Sequence, residues 1–142
     1  MNQFLSSKNI FTVSILWGVV VVLISLLLIG LNNKNIQLAP MVILGLVTAL
    51  IIWVLFDTRY VIKNTFLLFR SGPFRGRIDI TKIKKIEFYS GLYPQVMMKP
   101  ALGTKGFIIF YNNFDGVYVT PKNSNNFINA LLKINPKIEF VQ

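Results

Sequence analysis

The chain has no cysteine and no histidine, and only five acidic residues among 142. Without cysteine there is no disulfide, thiolate nucleophile or thiolate metal ligand. Without histidine there is no imidazole for acid–base or zinc chemistry. The acids, Asp57, Asp79, Glu87, Asp115 and Glu139, fall at no paired spacing, so neighbouring groups for acid–base or nucleophilic work are missing too. These absences exclude most enzyme classes, and no catalytic residue, metal ligand or cofactor is expected.

Apolar residues and positive charge dominate instead. Apolar residues make up 54% of the chain and the mean hydropathy is +0.58, too high for an ordinary soluble domain. Part of the chain should therefore lie in lipid. Fifteen Lys and Arg against five acids give a net +10, which suits anionic partners such as lipid headgroups, nucleic acid or acidic proteins.

No charge interrupts the sequence between Lys8 and Lys34, and Ile10 to Leu31 as a helix reaches roughly 33 Å, enough for a ~30 Å hydrocarbon core. After the turn NNKN, the uncharged run Ile36 to Phe56 reaches about 30 Å again. So short a turn joins antiparallel helices, so residues 1–56 read as a transmembrane hairpin with spans of about 10–31 and 36–56, and 57–142 as the following domain. A secretory signal is the rival for the first run, but the run outlasts a signal core and no small-residue cleavage site follows it. Pro40 falls in the first turn of the second helix, where its missing N–H costs little. Ser14 with Gly18, and Gly45 with Ala49, are small pairs four apart of the kind that lets helices approach. Arg59, Lys63 and Arg70 follow the second span whereas the connecting turn carries only Lys34, so both termini are expected in the cytoplasm. Trp53 and Tyr60 are expected at the inner interface, where amphipathic rings collect.

From Thr58 the hydrophobic period becomes two, the strand period. TRYVIK and TFLLFR form a hairpin about Asn64, with Phe66 to Phe69 expected to be buried on both sides. SGPFRG turns the chain into RIDI, and a short turn at Thr81 leads to a strand around Ile86–Tyr89. FIIFY and GVYVT close a second hairpin about NNFD. Past Pro121, Asn123 or Ser124 caps a helix with Phe127, Ile128, Leu131 and Leu132 on one face, ending near Asn135 and Pro136. Six strands and one amphipathic helix suggest a small antiparallel barrel or sandwich plugged by that helix.

TRYVI, FLLFRSGPFRGRIDITKIKKI, IIFY and VYVTPKNSNNFINALLKINPKI together resemble the bacterial pleckstrin-homology-like family of the YyaB type. In that family two membrane helices precede a domain with an RSGPF turn, an I-x-I-x-x-I strand entry and a V-x-I-S-P-K junction. Here the junction is Val117, Val119, Thr120, Pro121 and Lys122, with threonine where serine is usual, and the loop KPALGTKG departs from the family pattern. The resemblance implies an α+β fold: a bent antiparallel barrel or sandwich of about six to seven strands capped by a C-terminal helix. It further implies a multi-pass protein of the bacterial inner membrane. Domains of this kind are recognition scaffolds rather than enzymes, and the resemblance transfers no binding residue.

Two candidate surfaces follow. Arg70, Arg75, Arg77, Lys82, Lys84 and Lys85 form the basic set, with Arg75 and Arg77 on one strand face and Arg70 neighbouring them across the SGPFRG turn. They are candidates for lipid or anion contact, each basic residue near an anionic leaflet adding roughly 1 kcal/mol; the bland alternative is a solvated face that protects a sheet edge. Tyr93, Met97 and Met98, in the longest loop (Gly91 to Gly106), are candidates for contact with a partner, although tucking beneath the loop to complete the core is the commoner fate. Nucleic acid is disfavoured, because stacking aromatics do not interleave with the basic residues. The expected role is a non-catalytic binding module docking a protein or peptide partner, its basic face toward membrane lipids. Immunity to a membrane-active peptide and a structural subunit of a transporter or secretion complex are alternatives. Homo-oligomerisation stays open.

Overall fold

Ile10–Asn32 contains no charge, and it forms helix α1, capped by Asn9, whose side-chain oxygen accepts the Phe11 N–H at 2.9 Å. This computed structural model describes residues 2–35 and 37–142. Ile36, at which the second span was expected to begin, lies outside the described residues. Helix α2 (Leu38–Phe56) carries Pro40 in its first turn, and it runs antiparallel to α1. Trp17, early in α1, meets Phe56, last in α2, edge-on at 6.3 Å. Gly30, late in α1, makes room for the Met41 side chain, early in α2. Gly18 and Gly45 have nothing within reach of an added Cβ, so those small residues do not make the helix–helix contact. The most apolar windows of α1 and α2 average hydropathies of 2.8 and 2.6, yet only 6% and 11% of them is buried. A core helix of a soluble protein would be covered. These two are bare and about 34 and 28 Å long, and they are the candidate membrane spans.

The strand period yields two four-stranded sheets. Strands β1 (Asn2–Leu5), β2 (Arg59–Lys63), β3 (Phe66–Ser71) and β4 (Phe74–Asp79) form the first in that order, every neighbour antiparallel. After a 3-10 turn at Ile80–Lys82 come β5 (Ile83–Ser90), β6 (Lys105–Tyr111), β7 (Asp115–Val119), helix α3 (Ser124–Ile134) and β8 (Glu139–Val141). The second sheet runs β7-β6-β5-β8, with β8 parallel to β5. The expected β domain closed by a C-terminal helix is therefore present, but with eight strands rather than six to seven. The additions are the two shortest, β1 and β8, four and three residues that carry too few alternations to register as strands.

Strand β1 changes the architecture. The hairpin was expected to hold residues 1–56 by itself, yet Leu5 sits opposite Arg59 and Asn2 opposite Ile62. The two apolar helices are thus inserted between hydrogen-bonded neighbours of one sheet.

The inward residues of both sheets meet around Phe127. Phe4, Tyr60, Leu67, Phe69 and Ile78 come from the first sheet, and Ile86, Phe107, Ile109, Val117 and Val119 from the second. Phe4 packs edge-on against Phe127 at 5.3 Å. Residues Phe66 to Phe69 are buried on one side only: Leu67 and Phe69 face the core, while Phe66 is 37% exposed. Asn64 takes a positive φ of 55° at the β2–β3 turn, as that hairpin requires. Asn123 precedes α3 without a side-chain capping bond; Ser124 Oγ instead donates to the Pro121 carbonyl at 3.3 Å. At the other end the Asn135 amide donates to the carbonyls of Ile80 and Ile83 at 2.9 and 3.2 Å, tying the helix to the corner between the sheets.

Candidate functional site

Insertion of the hairpin within a sheet decides which end of the domain meets the helices. Only residues 6–9 separate β1 from α1, and only Asp57 and Thr58 separate α2 from β2. The β3–β4 turn reaches the same level: Gly72, at φ +57°, backs onto Val54 in the last turn of α2. The loop 91–104 reaches it too, since Leu92, Tyr93 and Lys99 line a small cleft with Thr12 of α1. This is the hairpin end of the domain. The β2–β3 and β6–β7 turns lie at the far end, because each sits at the opposite terminus of its strands.

A buried polar knot holds the hairpin end together. Tyr60, expected at the membrane interface, is instead fully buried, because its alternation with Ile62 turns it toward the core. Its hydroxyl donates to the Pro100 carbonyl at 2.5 Å and accepts the Thr120 N–H at 3.1 Å. Ser6 Oγ lies 3.0 Å from Thr120 Oγ1, and the Ser7 N–H donates to the Thr120 carbonyl. One cluster thus joins the segment before α1, strand β2, the long loop and the β7–α3 junction. Burial raises the Tyr60 pKa, against the lowering effect of its bonds with Ser6 and Thr120. Burial also pushes Tyr118 up to about 12, helped by the proximity of Tyr60 and Tyr89.

The basic set divides. Arg59, Arg70 and Arg75 stand directly opposite one another on β2, β3 and β4, forming a row across the outer face beside the hairpin. Arg77 lies one pleat farther on the same face, its guanidinium 5.6 Å from the Phe66 ring centroid. Lys82, Lys84 and Lys85 are not in this group. They belong to the 3-10 turn and the start of β5, where Lys84 Nζ donates to Asn113 at the far end and Lys85 pairs with Glu87 at 3.2 Å. Periodicity along one strand shows Arg75 and Arg77 together; the separation of the lysines depends on the corner at Ile80, which periodicity does not reveal.

One acid, Asp57, engages the row. Asp57, just past α2, forms an ion pair with Arg70 Nε, lies 3.5 Å from Arg59 Nη2, and accepts from Trp53 Nε1 at 3.2 Å. Arg75 and Arg77 have no carboxylate partner among the described residues. Asp79 accepts bonds from the Thr81 hydroxyl and N–H, which together hold its pKa below the usual value.

The loop residues divide as well. The commoner fate of tucking into the core does not hold: Tyr93 is 79% exposed, Met98 47% and Met97 completely. The backbone explains this, since Met98 bridges to Val117 and its carbonyl accepts the Tyr118 N–H, so the loop runs along the β7 edge rather than beneath it. Tyr93 belongs to the cleft beside α1. Met97 and Met98 stand between two other clefts. One, of about 390 Å³, includes Phe114, which is 99% exposed at the tip of the far β6–β7 turn. The other, of about 420 Å³, opens between the long loop and the β3–β4 turn and includes Phe74 and Arg75. Phe114 was missed in the sequence, where NNFD reads as turn residues and nothing there separates an exposed phenylalanine from a buried one. A larger groove of about 720 Å³ lies between α3 and the β5–β8 edge, floored by Phe88, Phe107 and Phe140.

This domain is also what the comparisons with known proteins find. The family model described as "Bacterial PH domain" matches residues 58–135, more than half of the chain, from the foot of β2 to the end of α3. The hairpin, β1 and β8 lie outside the match. No curated protein and no solved structure matches the chain.

Proposed function

The chain belongs to the bacterial PH domain family, and on that premise we propose that it is a membrane-anchored, non-catalytic binding module on the inner face of a bacterial membrane. In this reading the hairpin spans the membrane twice, both termini lie in the cytoplasm, and the domain docks a protein or peptide partner while the arginine row lies toward anionic lipid. PH domains are in general binding modules, and a binding role accords with the absence of cysteine and histidine.

The observation that carries the partner reading is the pair Met97 and Phe114. Both are almost wholly exposed and line one cleft, which runs from the long loop to the β6–β7 turn. Solvent-facing methionine and phenylalanine on one cleft suit an apolar contact with another protein. The test is a photoreactive phenylalanine analogue at position 114 of the full chain in intact cells. A discrete adduct is expected, and M97S should abolish it while the chain stays membrane-bound. No adduct from position 114, nor from a second probe at 97, would end the reading.

A further inference from the structure

We propose that the open edge of β4 takes an extended acidic segment of a partner protein as a further strand, its carboxylates two residues apart against Arg75 and Arg77. The site is separate from the Met97–Phe114 cleft of the preceding reading and does not require the hairpin to span a membrane.

The edge is the first argument. Strand β4 ends the first sheet, paired with β3 on one side and with no strand on the other among the described residues. Gly72 and Pro73 form the two-residue β3–β4 turn, Gly72 at φ +57°, so Ser71 and Phe74 close the hairpin as its first hydrogen-bonded pair. Bonded and non-bonded pairs alternate from there. Phe74, Gly76 and Ile78 thus direct their backbone groups to β3, while Arg75, Arg77 and Asp79 direct theirs outward. Such an edge is completed by another peptide chain rather than by a lipid headgroup, because only a peptide offers the matching ladder of donors and acceptors.

Charge selects that chain. An antiparallel strand would set residues directly opposite Arg75 and Arg77 on the outer face, within reach of cross-strand ion pairs. Both arginines are exposed and neither has a carboxylate partner among the described residues, although Asp57 engages Arg59 and Arg70 in the same row. Arg77 is held on that face over the Phe66 ring. Charged side chains commonly guard an edge against self-pairing, and here they exclude a second copy. Antiparallel β4 strands would bring arginine against arginine, and no two acids of this chain stand two apart. The same charges admit a strand with alternating carboxylates. Asp79, the third outward position, calls for a residue other than an acid opposite it. Phe74 shares the inward face with the buried Ile78 yet is 66% exposed, and it offers apolar contact to the side chains between the carboxylates.

The experiment uses the full chain in phosphatidylcholine nanodiscs, with a fluorescein-labelled peptide, TKTETET, read by anisotropy. Antiparallel on β4, this peptide sets its lysine opposite Asp79 and its glutamates opposite Arg77 and Arg75. Wild type is expected to bind it and R75S/R77S to bind at least tenfold more weakly, while K133S/K137S, an equal loss of charge on the α3 side, binds as wild type does. No binding to wild type, no loss in R75S/R77S, or an equal loss in K133S/K137S overturns the proposal. The same residues ordered EETTTTK should bind at least tenfold more weakly, and so should TKTETET with N-methyl groups on its glutamates, which can no longer donate to the edge. Equal binding of either would reduce the contact to plain charge attraction and overturn strand addition. Both peptides are read on wild type, so they decide the matter even if near-ultraviolet circular dichroism shows R75S/R77S to be misfolded. Displacement of TKTETET by phosphatidylglycerol placed in the nanodiscs would assign the edge to the membrane surface instead. M97S, which removes the contact of the preceding reading, should bind the peptide as wild type does; a loss there would move the peptide to the Met97 cleft and overturn the edge site.

Discussion

Tyr60 shows how one side chain can be misread and still be central. Its neighbours place an aromatic a few residues past an apolar run, the position of an interfacial anchor, but the two-residue period of β2 turns it inward. There its hydroxyl both donates and accepts, binding Pro100 and Thr120. Y60F removes the hydroxyl and leaves the buried Thr120 N–H without that acceptor, so a loss of about 1–3 kcal/mol is expected. Urea unfolding of the full chain in detergent micelles measures it; an unchanged midpoint would mean water replaces the bond. The methionines teach the converse. Met97 and Met98 are apolar in sequence and read as core, but pairing of the loop along β7 turns them outward.

At the scale of elements, the long periodic ones were legible and the short ones were not. Two apolar helices, six central strands and an amphipathic helix follow from period, length and turn chemistry. Strand β1 does not, because NQFL contributes one buried side chain, Phe4, whose partner Phe127 is more than a hundred residues away. If β1 belongs to the domain, F4A should cost about 3–5 kcal/mol, the range for emptying a core phenylalanine site. Limited proteolysis of the full chain in micelles would read this as faster cleavage within residues 58–135. Unaltered cleavage would make β1 an accessory to the fold. The basic set divides for a similar reason: Arg75 and Arg77 share a strand, but Lys82, Lys84 and Lys85 lie beyond a corner that sends them to the other end.

For the whole molecule, the two β1–β2 connections make the helices and the domain one piece. An appended domain could rotate on a single linker, whereas this one is held at two adjacent points of its own sheet. If the hairpin spans the membrane with the domain inside, K34C in the connecting turn and K133C on α3 lie on opposite sides. In a chain without native cysteine each thiol is unique. An impermeant maleimide applied to intact spheroplasts should label K34C and spare K133C. The reverse pattern would put the domain outside, and labelling of both would dissolve the hairpin as a span. The sequence by itself determined the apolar runs, the strand-forming middle, the final amphipathic helix and the basic balance, because length, period and charge are local properties of the chain. Only the tertiary structure decided that the hairpin lies inside a sheet, that Arg75 and Lys99 share a cleft beside the helix ends, and that Phe114 and Met97 face solvent together. Each of these joins residues distant in the chain, and such meetings depend on register and on corners between sheets rather than on local composition.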